Sequence, residues 1–361
     1  MAALGASDLH LTVGSEPVMR VNGRLDRVPG THRLSPEEVQ RLVYRIISSE
    51  QQKELENRRQ IDISYSLPGV ARFRVNIYSQ RESLAAAFRL VPAELKTLEQ
   101  LELPSMLHDF AKKPRGLVLV TGPTGSGKST TLAAIVDEIN RTRHDHIITI
   151  EDPIEFLHRH KACIVNQREV GRDVINFADG LRGALRQDPD VILLGEMRDL
   201  ETISTALTAA ETGHLVFATL HTQDAPSTID RLIDVFPAAQ QSQVRMQVAS
   251  TLEGVVTQTL LPTLDGRRRV AACEILLPDD AVRNLLRQGK TEQIYSIMQT
   301  RSKRGMQTLE QALADLVLRA LVSPETALAR TTRPDQLAGL IQRAGVTEIG
   351  FGGDGRMVGA R

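Results

Sequence analysis

Gly122-Pro123-Thr124-Gly125-Ser126-Gly127-Lys128-Ser129-Thr130 is the stretch on which the chain turns. The apolar run Leu117-Val118-Leu119-Val120 precedes it, and Leu132, Ile135, Val136 and Ile139 follow at helical spacing. Strand, glycine-rich turn and helix in that order convert a loose G-x-x-x-x-G-K-[ST] match into a phosphate loop. Glycines at 122, 125 and 127 let the backbone curl, so that successive N–H groups point at phosphate oxygens. The helix that follows offers its positive end to the same anion. Lys128 is expected to reach the β- and γ-phosphates, and the Ser129 hydroxyl to sit on Mg²⁺. The competing reading is an accidental glycine-rich turn. With every motif position filled and both flanks correct, the sequence predicts that a nucleoside triphosphate binds here.

Outward from the loop, composition sets the bounds. The chain has 361 residues, enough for two domains and a sizeable core. Lys plus Arg is 44 and Asp plus Glu is 44, so no net charge favours a broad electrostatic grip on nucleic acid. Trp is absent and aromatics are 3%, which argues against base-stacking platforms. Cys163 and Cys273 are far apart and in no C-x-x-C pair, so neither a zinc site nor a disulfide is expected. No apolar run approaches a membrane span, and the N-terminus lacks a signal-peptide core, so a cytoplasmic protein is expected.

Upstream of the loop, Leu9, Leu11 and Val13 alternate like a half-buried strand, and Pro17 to Leu25 reads as a strand pair turning at Asn22-Gly23. Ser35-Pro36-Glu37-Glu38 opens a helix with Val39, Leu42, Val43 and Ile46 on its buried stripe. Ile61 to Leu67 and Ala71 to Tyr78 alternate again around a Pro68-Gly69 turn. These elements make a small α+β domain. Arg72, Arg74, Arg81 and Arg89 crowd its last strands; for each, a solvated strand face is the competing reading to a role at a nucleotide. Thr97 to Pro104, after Pro92, reads as a connecting segment docked by Leu98, Leu101 and Leu103.

Downstream, His146 to Ile150 is a strand ending in Glu151-Asp152-Pro153-Ile154-Glu155, three acids where an open α/β sheet places its ligand crevice. The same acids also suit the first turn of a helix, and spacing alone leaves both readings standing. Asp190 to Glu196 is a third strand, with Glu196 placed to manage Mg²⁺ or the attacking water. Thr212 to Thr222 is a fourth, bracketed by His214 and His221, which fit either structural roles or phosphate sensing. Ala238 to Leu261 reads as one long helix. A terminal amphipathic helix follows Gly305 to Leu309, and the tail after Thr331 reads as flexible.

Four ordered stretches now resemble one family. Gly122 to Thr130, Ile150 to Phe156, Leu193 to Asp199 and Thr212 to Thr222 look like the Walker A, Asp-box, Walker B and His-box series of the secretion ATPases, the GspE/PilT family. Val165-Asn166-Gln167-Arg168-Glu169-Val170 and Thr208-Ala209-Ala210-Glu211 extend the likeness toward the pilus-retraction members. Ala281 to Gln288 is similar to their AIRNLIRE motif but carries Gln288 where they have Glu, and Gly171 stands where they often have His.

The resemblance implies an α/β fold: a PAS-like α+β domain (1–96), a linker (97–111) and a RecA-like ATPase domain with C-terminal helices and a tail (112–361). It implies ATP and Mg²⁺, a homohexamer, and conversion of hydrolysis into domain rotation. It also implies an inner-membrane pilus platform as partner, peripheral localisation there, and a PilU-like paralogue. Glu155 becomes a catalytic carboxylate, Glu196 the Walker B glutamate, His214 and His221 a phosphate relay, and Arg74 and Arg89 arginines that reach a nucleotide in the ring. A pilus-assembly or type II secretion ATPase shares all four boxes. A longer N-terminal region and a tetracysteine insert would mark it, and neither is in this sequence. A RecA-fold DNA helicase is the rival from another class, opposed by neutral charge and few aromatics.

Overall fold

The computed structural model describes residue 1 and residues 4–21, 23–67, 70–91 and 95–343, with the backbone of Gly350–Phe351 and Met357–Val358 beyond. Asn22, the Pro68-Gly69 turn, Pro92 and most of the Gly350 to Gly355 tail lie outside the described residues. The chain divides into two units, Met1–Glu94 with Glu155–Leu157, and Leu95–Ile154 with His158–Arg361.

The first unit runs β1 (Ala6–Leu11), β2 (Val18–Val21), β3 (Arg24–Arg27), α1 (Pro36–Tyr44), α2 (Ser49–Arg58), β4 (Gln60–Leu67), β5 (Ala71–Gln80) and β6 (Ser83–Val91). The strands form one antiparallel sheet in the order β3-β2-β1-β6-β5-β4. On β5 the period of two is visible residue by residue: Phe73, Val75 and Ile77 are buried, while Arg74 between them is exposed. That apolar face meets Val39 and Val43 of α1 and Leu55 of α2. Helix α1 begins where expected. The Ser35 hydroxyl accepts from the Glu38 N–H, and the Glu38 carboxylate accepts from the Ser35 N–H at 2.8 Å, with Pro36 in the first turn.

The second unit runs α3 (Leu107–Ala111), β7 (Gly116–Thr121), α4 (Lys128–Thr142), β8 (His146–Glu151), β9 (Ile164–Glu169), α5 (Phe177–Ala184), β10 (Val191–Leu194), α6 (Leu200–Glu211) and β11 (Leu215–Leu220). It continues with α7 (Ala225–Asp234), α8 (Ala238–Thr251), β12 (Leu252–Pro262), β13 (Arg269–Leu276), α9 (Asp280–Gln288), α10 (Ile294–Thr300), α11 (Leu309–Leu318), α12 (Pro324–Leu328) and α13 (Pro334–Arg343). Seven strands make one sheet, β13-β12-β7-β11-β10-β8-β9, parallel except for β13. Helices cover both faces, which is why β7, β10 and β11 are buried throughout and read as unbroken apolar runs. Along β7, Leu117 and Leu119 enter the core that holds Ile203 and Leu232; Val118 and Val120 enter the opposite one with Ile135 and Ile139.

Two expectations change, and the docked connecting segment between them finds its partners. Residues 238–261 are not one helix: α8 ends at Thr251, and the β-branched run Val255-Val256-Thr257 pairs as β12 beside β7. Residues 97–111 pack within the second unit, with Leu98, Leu107 and Phe110 all in its core. Gly254 permits this, because a Cβ there would stand 2.3 Å from the Phe110 ring. The tail after Thr331 contains α13, whose Leu337 and Ile341 are buried against α11.

Candidate nucleotide site

The site is built at the C-terminal edge of the parallel strands. Strand β7 ends at Thr121, and the backbone turns through left-handed conformations at Gly122 (φ 135°), Gly125 (φ 79°) and Gly127 (φ 91°) before α4 starts at Lys128. Gly125 has open space around it, so its requirement is conformational. Gly122 is confined as well: a Cβ there would lie 2.3 Å from the Gln258 carbonyl oxygen. No side chain caps α4, so its first N–H groups face the loop. Pro123, Thr124 and Gly125 form an exposed crest, Ser126 is buried, and Ser129 and Thr130 are half-buried in the first turn. The Lys128 ammonium lies along the loop, donating to the carbonyls of Gly122 (2.8 Å) and Pro123 (3.1 Å).

Register carries the neighbouring strands to the same edge. Leu220 of β11 is level with Thr121 of β7, so His221 follows at the height of Gly122. Leu194 of β10 is level with Ala218, and Glu196 lies just beyond. The two predicted groups meet there: His221 Nε2 is 3.3 Å from Glu196 Oε1, and Arg198 Nε is 2.6 Å from the same oxygen. Partial burial pushes the Glu196 pKa up. The Arg198 hydrogen bond and charge, joined by His221, outweigh burial and hold the carboxyl below its usual range. Glu196 is therefore an anion at neutral pH. At the end of β8, Glu151 Oε1 accepts from Thr149 Oγ1 (2.6 Å) and Gln167 Nε2 (3.1 Å).

Other candidates sit elsewhere. His214 precedes β11, its carbonyl accepting from the Gly116 N–H at the start of β7, so it stands at the opposite edge of the sheet from the loop. Six strand residues separate the two edges, about 20 Å. Its Nδ1 is 2.9 Å from the Ala209 carbonyl. Of the two histidines, His221 stands at the loop's edge of the sheet and His214 at the other. Glu155 is exposed and groups with the first unit. In that unit Arg74 and Arg89 are directly opposite across β5 and β6. Arg89 is committed, with Nε donating to the buried Asp8 at 2.9 Å. Burial raises the Asp8 pKa, but the Ser7 hydroxyl and Arg89 overcome it and hold the carboxyl low. Arg74 is exposed and, among the described residues, its guanidinium has no hydrogen-bond or ion-pair partner.

The sequence reading missed Gln258, Thr131 and Arg198. Gln258 lay inside a segment read as helix; the one carboxamide in the run Val255 to Leu261, between Thr257 and Thr259, was the available signal. Among the described residues no cluster of three or more His, Cys, Asp or Glu forms a metal cage. The loop whose glycines leave room for phosphate, the lysine along it and the ionised Glu196 on the same sheet edge belong to a RecA-like phosphate-loop ATPase.

Comparison with known proteins narrows the class. The model of the type II/IV secretion system protein family matches residues 2–344, and the chain belongs to that family. The type IV pilus retraction ATPase PilT of Pseudomonas aeruginosa is 51% identical over 334 residues, covering 92% of this chain and 96% of its own. The pilus ATPase PilU of the same organism is 40% identical, covering 95% and 89%. A crystal structure of the pilus retraction motor PilT with bound ADP superposes with a TM-score of 0.87 at 50% identity, covering 93% and 96%. Among the described residues no helix is long and apolar enough to cross a membrane.

Proposed function

We propose that this chain is a retraction motor of type IV pili, hydrolysing ATP as a homohexamer on the cytoplasmic face of the inner membrane. The observation that carries the reading is likeness to PilT along nearly the whole of both chains. A shared ATPase core alone would not extend through the first unit and the C-terminal helices. The motor pulls through an inner-membrane pilus platform protein, with a PilU-like paralogue as a second partner, and converts hydrolysis into rotation between its two units.

Within each site the residues take separate tasks. The loop N–H groups from Gly122 to Thr130 bind the phosphates, and Lys128 leaves its two carbonyls for the β- and γ-oxygens. Ser129 and Glu196 would hold Mg²⁺, which neutralises charge on the phosphates. The water attacks the γ-phosphorus in line with the departing ADP oxygen, and Glu155, as catalytic carboxylate, takes its proton. His221, in contact with Glu196, reports whether the γ-phosphate is present. Arg74, unpaired in its own unit, serves a nucleotide across the ring. Arg89 is the second arginine that the family resemblance points to; its bond to Asp8 favours a role in shaping that strand face.

Deletion of the gene separates motor directions. Excess surface pili without twitching supports retraction; loss of pili means assembly and overturns it. Complementation with Lys128→Ala should leave the deletion phenotype in place, because the fold survives and hydrolysis does not.

A further inference from the structure

The carboxamide of Gln258 has no solvent to interact with, since the residue is 2% exposed, and it spends one polar atom on the phosphate loop and the other on the helix that follows. Its Nε2 donates to the Ser126 carbonyl at 2.6 Å, and its Oε1 accepts from Thr131 Oγ1, in the first turn of α4, at 2.9 Å. The strand places it there. Thr257 of β12 is the register partner of Thr121 of β7, and their hydroxyls hydrogen-bond at 2.8 Å. The next residue therefore stands level with Gly122.

We propose that Gln258 is a positioning residue for nucleotide binding, which holds the Ser126–Gly127 peptide of the phosphate loop in its binding orientation from the adjacent strand. The peptide is planar and trans, so its C=O and N–H point in opposite directions. With the Ser126 carbonyl fixed toward β12, the Gly127 N–H is turned away from β12, toward the concave side of the loop. Losing the Nε2–H would free that peptide to rotate and spoil one phosphate donor without removing it. The second bond, to Thr131, ties the same carboxamide to α4, so loop and helix are set by one side chain.

Two loop glycines carry the imprint of this residue. A Cβ at Gly122 would meet the Gln258 backbone oxygen at 2.3 Å, and one at Gly127 would meet its Nε2 at 3.0 Å. The contact at Gly122 is with the strand backbone and the one at Gly127 with the carboxamide itself; a side chain that merely filled space in the core would need no polar head against Gly127. Packing the same volume with Met or Leu would leave the Ser126 carbonyl buried without a donor.

The test uses the full-length chain with ATP and a fluorescent ADP analogue. Gln258→Glu keeps the size and the acceptor for Thr131 but sets a carboxylate oxygen against the Ser126 carbonyl. We expect KM for ATP and Kd for ADP to rise about tenfold, some 1.4 kcal/mol of binding, with a smaller fall in kcat. The nucleotide-free chain should melt within a few degrees of wild type. Protonating a buried carboxyl restores an O–H donor, so the affinity of the Q258E variant should recover as pH falls from 8 to 6 more than that of wild type. Thr131→Val, which removes the second bond alone, should weaken binding in the same direction by a smaller factor. A folded Q258E variant with wild-type nucleotide affinity overturns the proposal. So does a variant that loses melting temperature and affinity together with no pH-dependent recovery, since that is a purely structural role. If Q258E does not fold, Thr131→Val decides: wild-type affinity there overturns the proposal, and weakened affinity at an unchanged melting temperature supports it.

Discussion

Glu274 and His158 should pull the pH dependence of folding stability in opposite directions. Glu274 on β13 is 2% exposed, its Oε1 accepting from the Ala225 N–H at 2.7 Å and its Oε2 from the Leu309 N–H at 3.4 Å. Burial pushes its pKa from 4.5 up to about 7, helped by Asp224 and Glu310 and opposed by the two N–H bonds. His158 has a buried Nδ1 without a partner among the described residues. Burial drives its pKa from 6.5 down to about 4, with Lys161 assisting and Asp137 opposing. The folded chain thus keeps a proton on Glu274 that the unfolded chain releases; that stabilisation is complete below pH 4.5 and lost as pH rises through 7. For His158 the folded chain refuses a proton that the unfolded chain takes. Its stabilisation is complete above pH 6.5 and lost as pH falls through 4.

Moving one carboxyl from 4.5 to about 7 and one imidazole from 6.5 to about 4 is worth on the order of 3 kcal/mol each across its window. Between pH 4.5 and 6.5 the two nearly cancel, and the wild type should show little slope from this pair. Glu274→Gln removes one arm, so stability should climb by about 3 kcal/mol from pH 4 to 6.5 as His158 acts alone. His158→Gln should do the reverse, falling by a similar amount from pH 4.5 to 7. Urea unfolding followed by circular dichroism, at one protein concentration and four pH values, measures both. If neither substitution changes the slope, the burial argument is wrong for these groups.

The remaining predictions concern the motor. Glu196→Gln should retain nucleotide binding and lose turnover by 10²-fold or more, since shape survives and charge does not; equal losses of affinity and rate in a binding and steady-state assay would refute this. Arg74→Ala should lower ATPase rate with unchanged melting, whereas Arg89→Ala should lower the melting temperature by taking the nearest cation from the buried Asp8, which keeps only Ser7 and the more distant Arg20, as calorimetry can show. Rings mixed from Arg74→Ala and Lys128→Ala subunits should regain activity if the arginine works across the interface; no gain in verified mixed rings means it does not. Gln288→Glu, on the exposed end of α9 beyond all four nucleotide boxes, should leave hydrolysis within about twofold and be scored by twitching; a large loss of ATPase rate would place α9 inside the catalytic cycle.

Where local chemistry dictates structure, the sequence was readable. The loop glycines, the Ser35 cap and the alternation around Arg74 each act within a few residues, and each appears in the structure at its expected position. Strand β12 was missed although Gly254 stands three residues past the end of α8, because the small and polar residues of α8 show no apolar period whose end could be seen there. Its strand character comes from pairing with β7, a partner distant in sequence. Helix α13 was hidden by its glycine-rich surroundings, although Leu337, Leu340 and Ile341 had the spacing. His214 and His221 looked equivalent as brackets of one strand. A parallel strand has a catalytic end and a structural end, and only the sheet shows which is which.

The sheet order has a consequence for biosynthesis. The loop strand β7 is flanked by β11 and β12, both made long after it leaves the ribosome, and β12 also brings Gln258. A nascent chain that has just released Gly122 to Thr130 therefore owns a phosphate motif with neither wall in place. Its apolar strand waits with both edges unpaired until β11 is made at residue 220, and with one edge unpaired until synthesis has passed residue 262. That interval is when the chain is most exposed to misassociation with its siblings and most in need of a holding chaperone. Arresting translation just before and just after β12 emerges should convert a chaperone-bound, protease-sensitive chain into one that resists digestion and captures ATP.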